Sequence, residues 1–180
     1  MNPITYDLWH ERYDGRQDHD KLLGVYSTEA KAQAALELRD KPGFRDHPEG
    51  FDIHGAKMDK AGLLAGFVSV WGDEDPDPDN PPPPPGDISF PSIEPIPDSY
   101  WVAWHRYTNE WDIRQEKLIG VYTCRDNAEK AIDLIRAAPG FCDRPDGFTI
   151  EDGKIDHTDM ANGFVTVRDG TGEHDEPVAD

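Results

Sequence analysis

Lys21-Leu22-Leu23-Gly24-Val25-Tyr26 returns 96 residues later as Lys117-Leu118-Ile119-Gly120-Val121-Tyr122, and this repetition decides the fold. Further motifs recur on both sides of the hexapeptide at a similar spacing. The matched pairs are Trp9-His10 with Trp104-His105, Pro42-Gly43-Phe44 with Pro139-Gly140-Phe141, and Gly66-Phe67-Val68 with Gly163-Phe164-Val165. The period is much longer than the roughly 20–50 residues of solenoid units, so the chain is a tandem duplication.

Each repeat carries signals for four strands and one helix. The apolar and aromatic runs that predict strands are 4–9, 21–26, 51–53 and 66–71 in the first repeat, and 100–105, 117–122, 148–150 and 163–167 in the second. One helix should follow the second strand of each repeat. The order predicts an α+β fold made of two copies of a ββαββ domain, each an antiparallel sheet with one helix on one face.

The helices have recognisable beginnings and ends. Ser27 and Thr123 are placed as N-caps, and apolar residues recur at helical spacing over about three turns after each of them. The repeated Pro-Gly pairs then stop the helices, because proline cannot continue a hydrogen-bonded turn. We expect each apolar helix face to cover one side of its sheet.

Glycines and phenylalanines mark two special places in each repeat. Gly24 and Gly120 lie in the middle of a strand, which indicates a β-bulge or a close backbone approach. The segments 42–51 and 139–148 each hold two prolines, two glycines and two phenylalanines. They predict compact loops held by their phenylalanines, with the glycines at positive φ.

Composition divides the 180 residues into four parts. We assign 1–71 to the first repeat domain, 72–99 to an acidic, proline-rich linker, 100–168 to the second repeat domain and 169–180 to an acidic tail that should be disordered. The net charge of −19 divides into −3, −8, −4 and −4 over 1–71, 72–99, 100–167 and 168–180. Most of the acidity therefore lies outside the two repeats, as expected of solvated segments.

The linker has two halves of different character. Residues 73–85 are acidic and then pure proline, which favours a polyproline II spacer. Phe90, Ile93 and Ile96 are three apart and would share one edge of such a helix. We expect the segment 89–97 to dock on a repeat through that edge.

Several classes of function are disfavoured. The repeats lack the basic stripes that nucleic-acid or anionic-membrane binding requires, and none of the common catalytic, phosphate-binding or metal-binding motifs is present. We therefore expect no enzyme activity, no metal and no cofactor. The start of the chain does not have the character of a secretory signal, which predicts a cytoplasmic protein with Cys124 and Cys142 reduced, although a disulfide between them remains an alternative.

The repeated polar residues have structural interpretations. His10 and His105 each follow a tryptophan at a strand end, and a hydrogen-bonded structural histidine is favoured over a catalytic one. Asp59 and Asp156 recur with Lys57 and Lys154, which fits an exposed, salt-bridged turn.

The hairpin loops differ most between the repeats, so we place candidate partner-binding residues there. The second repeat contributes Tyr107, Glu110, Trp111 and Asp112, with the aromatic Trp111 as a candidate interface anchor. The first repeat contributes Asp14, Asp18 and Asp20. Acid-rich loops would steer a basic partner.

The pattern W-H, K-L-[LI]-G-V-Y-[ST], P-G-F-x-D-x-P-x-G-F and G-F-V covers nearly all of both repeats. It resembles a family of small uncharacterised bacterial domains that occur mostly as single copies. By analogy with other small acidic domains, the resemblance implies a bacterial immunity protein that binds a toxin domain with a basic surface. The alternatives are a small-molecule-binding or hydrolytic protein with a site between the repeats at His10 and His105, and a scaffold with two equivalent binding sites.

Overall fold

The computed structural model describes residues 2–13, 19–67, 86–109, 114–169 and 172–179. It shows a mixed fold of two α-helices and small antiparallel β-sheets over these residues, which is compatible with the α+β class. In each repeat the first three strands form one sheet, in which the repeat's first strand is central. The predicted fourth strands do not join these sheets within the described residues.

The first three strands and the helix of the first repeat come in the predicted order, and two short strands that were not predicted follow them. The elements are β1 (Ile4–His10), β2 (Lys21–Tyr26), α1 (Glu29–Ala34) with a 3₁₀ continuation (Ala35–Asp40), β3 (Phe51–Lys57), and the two short strands β4 (Lys60–Ala61) and β5 (Ile88–Ser89). Strand order in the first sheet is β2-β1-β3, with β1 and β2 antiparallel. The helix is shorter than the three turns expected, because its second half tightens into 3₁₀ geometry.

The second repeat has longer elements. They are β6 (Ser99–Thr108), β7 (Arg114–Tyr122), α2 (Arg125–Ile135), β8 (Phe148–Lys154), β9 (Phe164–Asp169) and β10 (Gly172–Pro177). The second sheet has the order β7-β6-β8, again with its first two strands antiparallel. In both hairpins a register irregularity lies beside the residue opposite the central glycine, which confirms the bulge expected at Gly24 and Gly120.

The two compact units of the structure differ from the sequence-based domains 1–71 and 100–168. One unit, lobe 1, consists of Ile4–Ala56 and Gly153–Asp180, and the other, lobe 2, consists of Met1–Pro3 and Lys57–Asp152. The chain therefore leaves each repeat's own sheet at the end of its third strand. Each lobe is completed by a segment from the other repeat.

Equivalent backbone hydrogen bonds attach the two exchanged segments. In lobe 2 the Asp59 amide donates to the Val121 carbonyl (2.8 Å), and the Phe67 amide donates to the Pro139 carbonyl (3.0 Å). The matching bonds in lobe 1 run from Asp156 to Val25 (2.9 Å) and from Phe164 to Pro42 (3.1 Å). Phe164 is buried in the lobe 1 core, and Phe67 packs against the core of lobe 2. Each sheet and helix thus forms its core with residues from the other half of the sequence.

Asp59 anchors the exchanged segment in lobe 2. Its carboxylate accepts hydrogen bonds from the Thr123 amide (3.0 Å), the Thr123 hydroxyl (2.8 Å) and the Asn127 side-chain amide (2.7 Å). The side chain is fully buried, so the expectation of an exposed turn is wrong for Asp59. The bonds lie at the start of α2, where amide groups lack intrahelical acceptors and the helix dipole favours a negative charge.

Asp156 occupies the same place in lobe 1 but is more exposed. Its carboxylate accepts from the Ser27 amide (2.8 Å) and hydroxyl (2.9 Å), and it pairs with the Lys31 ammonium (2.6 Å). Although burial acts to raise the pKa of Asp156, the hydrogen bonds from Lys31 and Ser27 hold it below its ordinary value. The residue aligned with Asn127 is Lys31, so the aspartate binds a charged side chain in the first repeat and a neutral one in the second.

The exchanged segments also explain the helix starts and the strand glycines. The N-caps are Thr28 and Cys124, one residue later than predicted, since the preceding Ser27 and Thr123 are bonded to the aspartates. A Cβ at Gly24 would lie 2.5 Å from the His157 carbonyl oxygen, and one at Gly120 would lie 2.4 Å from that of Lys60. The close approach predicted at these glycines is confirmed.

The second half of the linker docks on lobe 2, as predicted, but its anchors differ. β5 pairs with β4, the Phe90 amide donates to the Asp59 carbonyl (2.7 Å), and the Ile93 amide donates to the Thr123 hydroxyl (3.1 Å). Phe90 packs against the core, whereas the Ile93 side chain is 49% exposed. Backbone hydrogen bonds therefore attach this segment to lobe 2, and the expected row of apolar side chains contributes less.

Residues 172–177 of the acidic tail form a strand, whereas the sequence predicted disorder. β10 pairs antiparallel with β9, and Asp175 forms an ion pair with Lys21 (2.5 Å) in which both side chains are largely buried. The Lys21 ammonium also lies 4.7 Å from the Phe164 ring centroid. Pairing with a buried lysine and a neighbouring strand thus offsets the repulsion that the tail's composition implies.

Asp7 is a buried carboxyl group whose equivalent in the second repeat is Val102. Burial raises its pKa to about 6, against a weaker opposing hydrogen bond from the Thr5 hydroxyl. Above that pH the folded state must hold a charge in a poorly hydrated place. Asp7 is therefore a destabilising feature of β1 at neutral pH.

Replacing Asp59 by alanine should destabilise the chain by about 2–4 kcal/mol, because a buried amide, a hydroxyl and the Asn127 amide group would lose their acceptor. Asp156→Ala should cost only about 1 kcal/mol, since that ion pair is partly exposed to solvent. Urea denaturation of both variants measures the difference. Equal losses, or a larger loss at Asp156, would contradict the role given to Asp59.

Asp7→Asn should stabilise the protein at pH 7.5 by as much as about 3 kcal/mol, because ionisation of Asp7 favours the unfolded chain. The gain should shrink to about one third at pH 4.5, since the raised folded-state pKa costs stability only as pH rises from about 4 to 6. Denaturant midpoints at the two pH values test this. A gain independent of pH would show that the carboxylate charge is not responsible.

Candidate functional site

A buried histidine fixes the end of β1 against the Pro-Gly-Phe loop. The Nε2 group of His10 donates to the His47 carbonyl (3.0 Å), and the ring is fully buried between Phe44 and Phe51, with centroid distances of 5.0 and 4.9 Å. Gly43 has a φ of 79°, as predicted for this loop. Gly50 instead has ordinary backbone geometry, and it is required because a Cβ would lie 2.3 Å from the Glu11 carbonyl oxygen.

His105 repeats this arrangement in lobe 2. Its Nε2 group donates to the Arg144 carbonyl (2.9 Å), and its ring contacts Phe141 and Phe148. Burial lowers the pKa of both histidines below the ordinary value, against the opposing effect of these carbonyl hydrogen bonds. Each ring is fully buried and bound to a loop carbonyl. The pair therefore supports the structural interpretation and gives no geometric support to a hydrolytic site.

An open pocket lies on the surface of the first repeat, beside the loop to which His10 is hydrogen-bonded. It has a volume of about 360 Å³ and is lined by Glu11, Arg12, Tyr13, His47, Glu49, Gly50, Phe51 and Asp52. The Glu11 amide donates to the Gly50 carbonyl (2.8 Å), which ties the strand end to the loop. Tyr13 is 67% exposed at the pocket. The lining combines polar groups with an exposed aromatic side chain.

Three potential metal ligands meet beside the pocket. Glu11, Asp52 and His54 each offer one ligand atom, and these atoms lie within 4.8 Å of one another. The His54 Nε2 atom lies 2.7 Å from an Asp52 carboxylate oxygen. Hydrogen bonds from His54 and from the Ile53 amide lower the pKa of Asp52. Sequence reasoning missed the cluster because Glu11, which directly follows β1, lies 41 positions before Asp52 of β3.

The equivalent place in the second repeat holds an arginine. Glu11, Asp52 and His54 align with Arg106, Thr149 and Glu151. The Arg106 guanidinium binds both carboxylate oxygens of Glu151, one Glu116 oxygen (3.2 Å) and the Thr149 hydroxyl (3.4 Å). Lobe 2 thus has a cationic side chain at this place, whereas lobe 1 has three side chains that could bind a cation.

The predicted partner-binding residues are only partly described. Glu110, Trp111 and Asp112 of the second hairpin loop, and Asp14 and Asp18 of the first, lie outside the described residues. Tyr107 is half-buried, with its ring 5.6 Å from that of His105 and the Arg144 guanidinium 5.9 Å above it. Asp20 is exposed just before β2. The described part of the chain therefore brings Tyr107 into local packing within lobe 2, whereas Asp20 belongs to lobe 1.

Both cysteines have free thiols, with Cys142 exposed and Cys124 half-buried at the start of α2. None of the helices in the described ranges is long and apolar enough to cross a membrane.

No family model, curated protein or solved structure matches the chain.

Proposed function

We propose that the chain is a non-enzymatic protein-binding module of the cytoplasm, most concretely a bacterial immunity protein that neutralises a toxin by direct binding. The partner would be a toxin domain with a basic surface. The contact surface would include the open pocket of lobe 1, with Tyr13 and Glu49 at its rim. The resemblance of the repeats to small bacterial domains belongs to the same proposal.

The charge difference between the two equivalent surfaces carries the proposal. The residues lining the lobe 1 pocket include three acids and one base, for a formal charge of −2. The aligned positions in the second repeat hold Asp146, Arg106 and Arg144, for a formal charge of +1. Because the scaffold beneath is the same, this difference is not needed for folding. It fits a surface specialised for a basic partner.

The exposed Tyr13 supports the same assignment. Tyrosine is enriched at the centres of protein interfaces, where its ring is buried and its hydroxyl finds a partner. The aligned residue in the second repeat is Thr108, which offers much less apolar area. An aromatic anchor surrounded by Glu11, Glu49 and Asp52 would combine burial with electrostatic steering.

The description of the fold as a duplicated ββαββ domain is also part of this proposal. We describe the protein as two ββαββ copies in which the segments that follow the third strands are exchanged, with β9 as the fourth strand of the second repeat. The corresponding residues 68–71 of the first repeat lie outside the described ranges. A duplication of a single-copy binding domain would keep two scaffolds while freeing one surface to diverge.

The product of a neighbouring toxin gene should bind the full chain and lose its toxicity when the two are co-expressed. Tyr13→Ala and Glu49→Lys should each weaken binding by about 10-fold or more, which corresponds to about 1.4 kcal/mol. Added salt should slow association of the original chain more than that of Glu49→Lys. Surface plasmon resonance and growth on toxin induction measure these effects.

The matched controls are Thr108→Ala and Asp146→Lys, which change the aligned positions of the second repeat. They should leave affinity within about 2-fold of the original chain, since most surface changes outside an interface hot spot have small effects. If the control variants lose protection against the toxin as much as Tyr13→Ala and Glu49→Lys do, the assignment is refuted. The absence of binding to any neighbouring toxin would also refute it.

A further inference from the structure

We propose that Glu11, Asp52 and His54 form a binding site for a divalent transition-metal ion, with Zn²⁺ as the representative. The site lies on lobe 1 at the junction of β1 and β3. It does not depend on the toxin-binding proposal, because the three side chains alone provide the ligands.

The strand geometry explains why the three side chains converge. Asp52 and His54 are two residues apart in β3, so they project from the same face of the strand. Glu11 directly follows β1, which neighbours β3 in the sheet. The buried His10 and the bond from the Glu11 amide to Gly50 fix the backbone of that strand end. The ligands are thus carried by ordered elements.

The distances suit a small dication. A tetrahedral Zn²⁺ with bonds of about 2.0–2.1 Å holds its ligand atoms roughly 3.3 Å apart. The His54 nitrogen and the Asp52 oxygen are 2.7 Å apart, and all three ligand atoms lie within 4.8 Å of one another. Small side-chain rotations therefore bring them to coordination distance, and a remaining position would take water.

The second repeat independently indicates a cation at this place. There the Arg106 guanidinium lies among Glu116, Thr149 and Glu151. In the first repeat the aligned residues are Glu11 for the arginine, and Asp20, Asp52 and His54 for its three partners. The carboxylate of Glu11 stands in the first repeat where the second repeat has the positively charged Arg106. The residues aligned with the partners of Arg106 still offer oxygen and nitrogen atoms that can bind a cation. The positive charge that the second repeat supplies from its own chain would come from a bound ion in the first.

The donor types select the class of metal. Two carboxylates and one neutral imidazole are ligands that Zn²⁺ and similar ions accept, whereas Mg²⁺ and Ca²⁺ prefer sites made of oxygen alone. Because protons compete with the metal for these ligand atoms, affinity should be weaker in acid. A bound dication would offset the formal charge of −2 of the pocket lining, so a basic partner would bind the metal-free form more tightly.

Isothermal titration of the full-length chain with Zn²⁺ should reveal one site that persists in millimolar Mg²⁺. Glu11→Arg, which installs the residue of the second repeat, should weaken this site by at least about 10-fold, and His54→Ala should do the same. In ¹H–¹⁵N spectra, Zn²⁺ should perturb residues 11, 52 and 54 before any others.

His157→Ala removes an exposed histidine that lies near Asp156 and Asp159, and it should leave the Zn²⁺ affinity unchanged. Circular dichroism and the urea midpoint show whether Glu11→Arg retains its fold, and the spectral map of the unmutated chain locates the ion without any substitution. Binding that is equally strong in Glu11→Arg and His54→Ala, or first perturbations elsewhere in the chain, would overturn the proposal. So would the absence of a Zn²⁺ site that survives Mg²⁺ competition.

Discussion

The buried carboxylate of Asp59 is the interaction on which the arrangement of the second lobe depends. It satisfies the Thr123 amide and hydroxyl and the Asn127 side chain at the start of α2, although it belongs to the first half of the sequence. The docked linker uses the same place, since its Phe90 amide binds the Asp59 carbonyl. Asp156 repeats the arrangement in lobe 1. Each half of the duplication thus completes the other, which helps two small cores that would be marginal alone.

The shared scaffold leaves a few positions free to differ, and the differences concern charge. Lobe 2 places Arg106 among acidic and hydroxyl partners, while lobe 1 has Glu11 at the aligned position with an acidic pocket beside it. The proposed metal site and the proposed partner surface share Glu11, whose charge is opposite to that of the aligned Arg106. The identical buried histidines beneath them support the same loop geometry in both repeats.

Sequence patterns predicted much of the fold, because strands, helices and bulges depend largely on neighbouring residues in the chain. Hydrophobic spacing located the first three strands and the helix of each repeat, and Gly24 and Gly120 marked the bulges. The exchange of segments could not be predicted, since Asp59 and Asp156 are identical and either could in principle bind either helix start. The strand within the tail was not predicted because Asp175 meets Lys21 only in the folded chain. The ligand cluster was missed because Glu11 meets Asp52 and His54 only through strand pairing.

Nuclear Overhauser contacts in the full chain test the exchange of segments most directly. The account predicts contacts from the Asp59 amide to residues around Val121, and from the Phe164 ring to Gly43. If each repeat instead closes on itself, the Asp59 amide will contact residues around Val25, and the Phe164 ring will contact Gly140. The second pattern would contradict the account, because the lobes would then coincide with the sequence repeats.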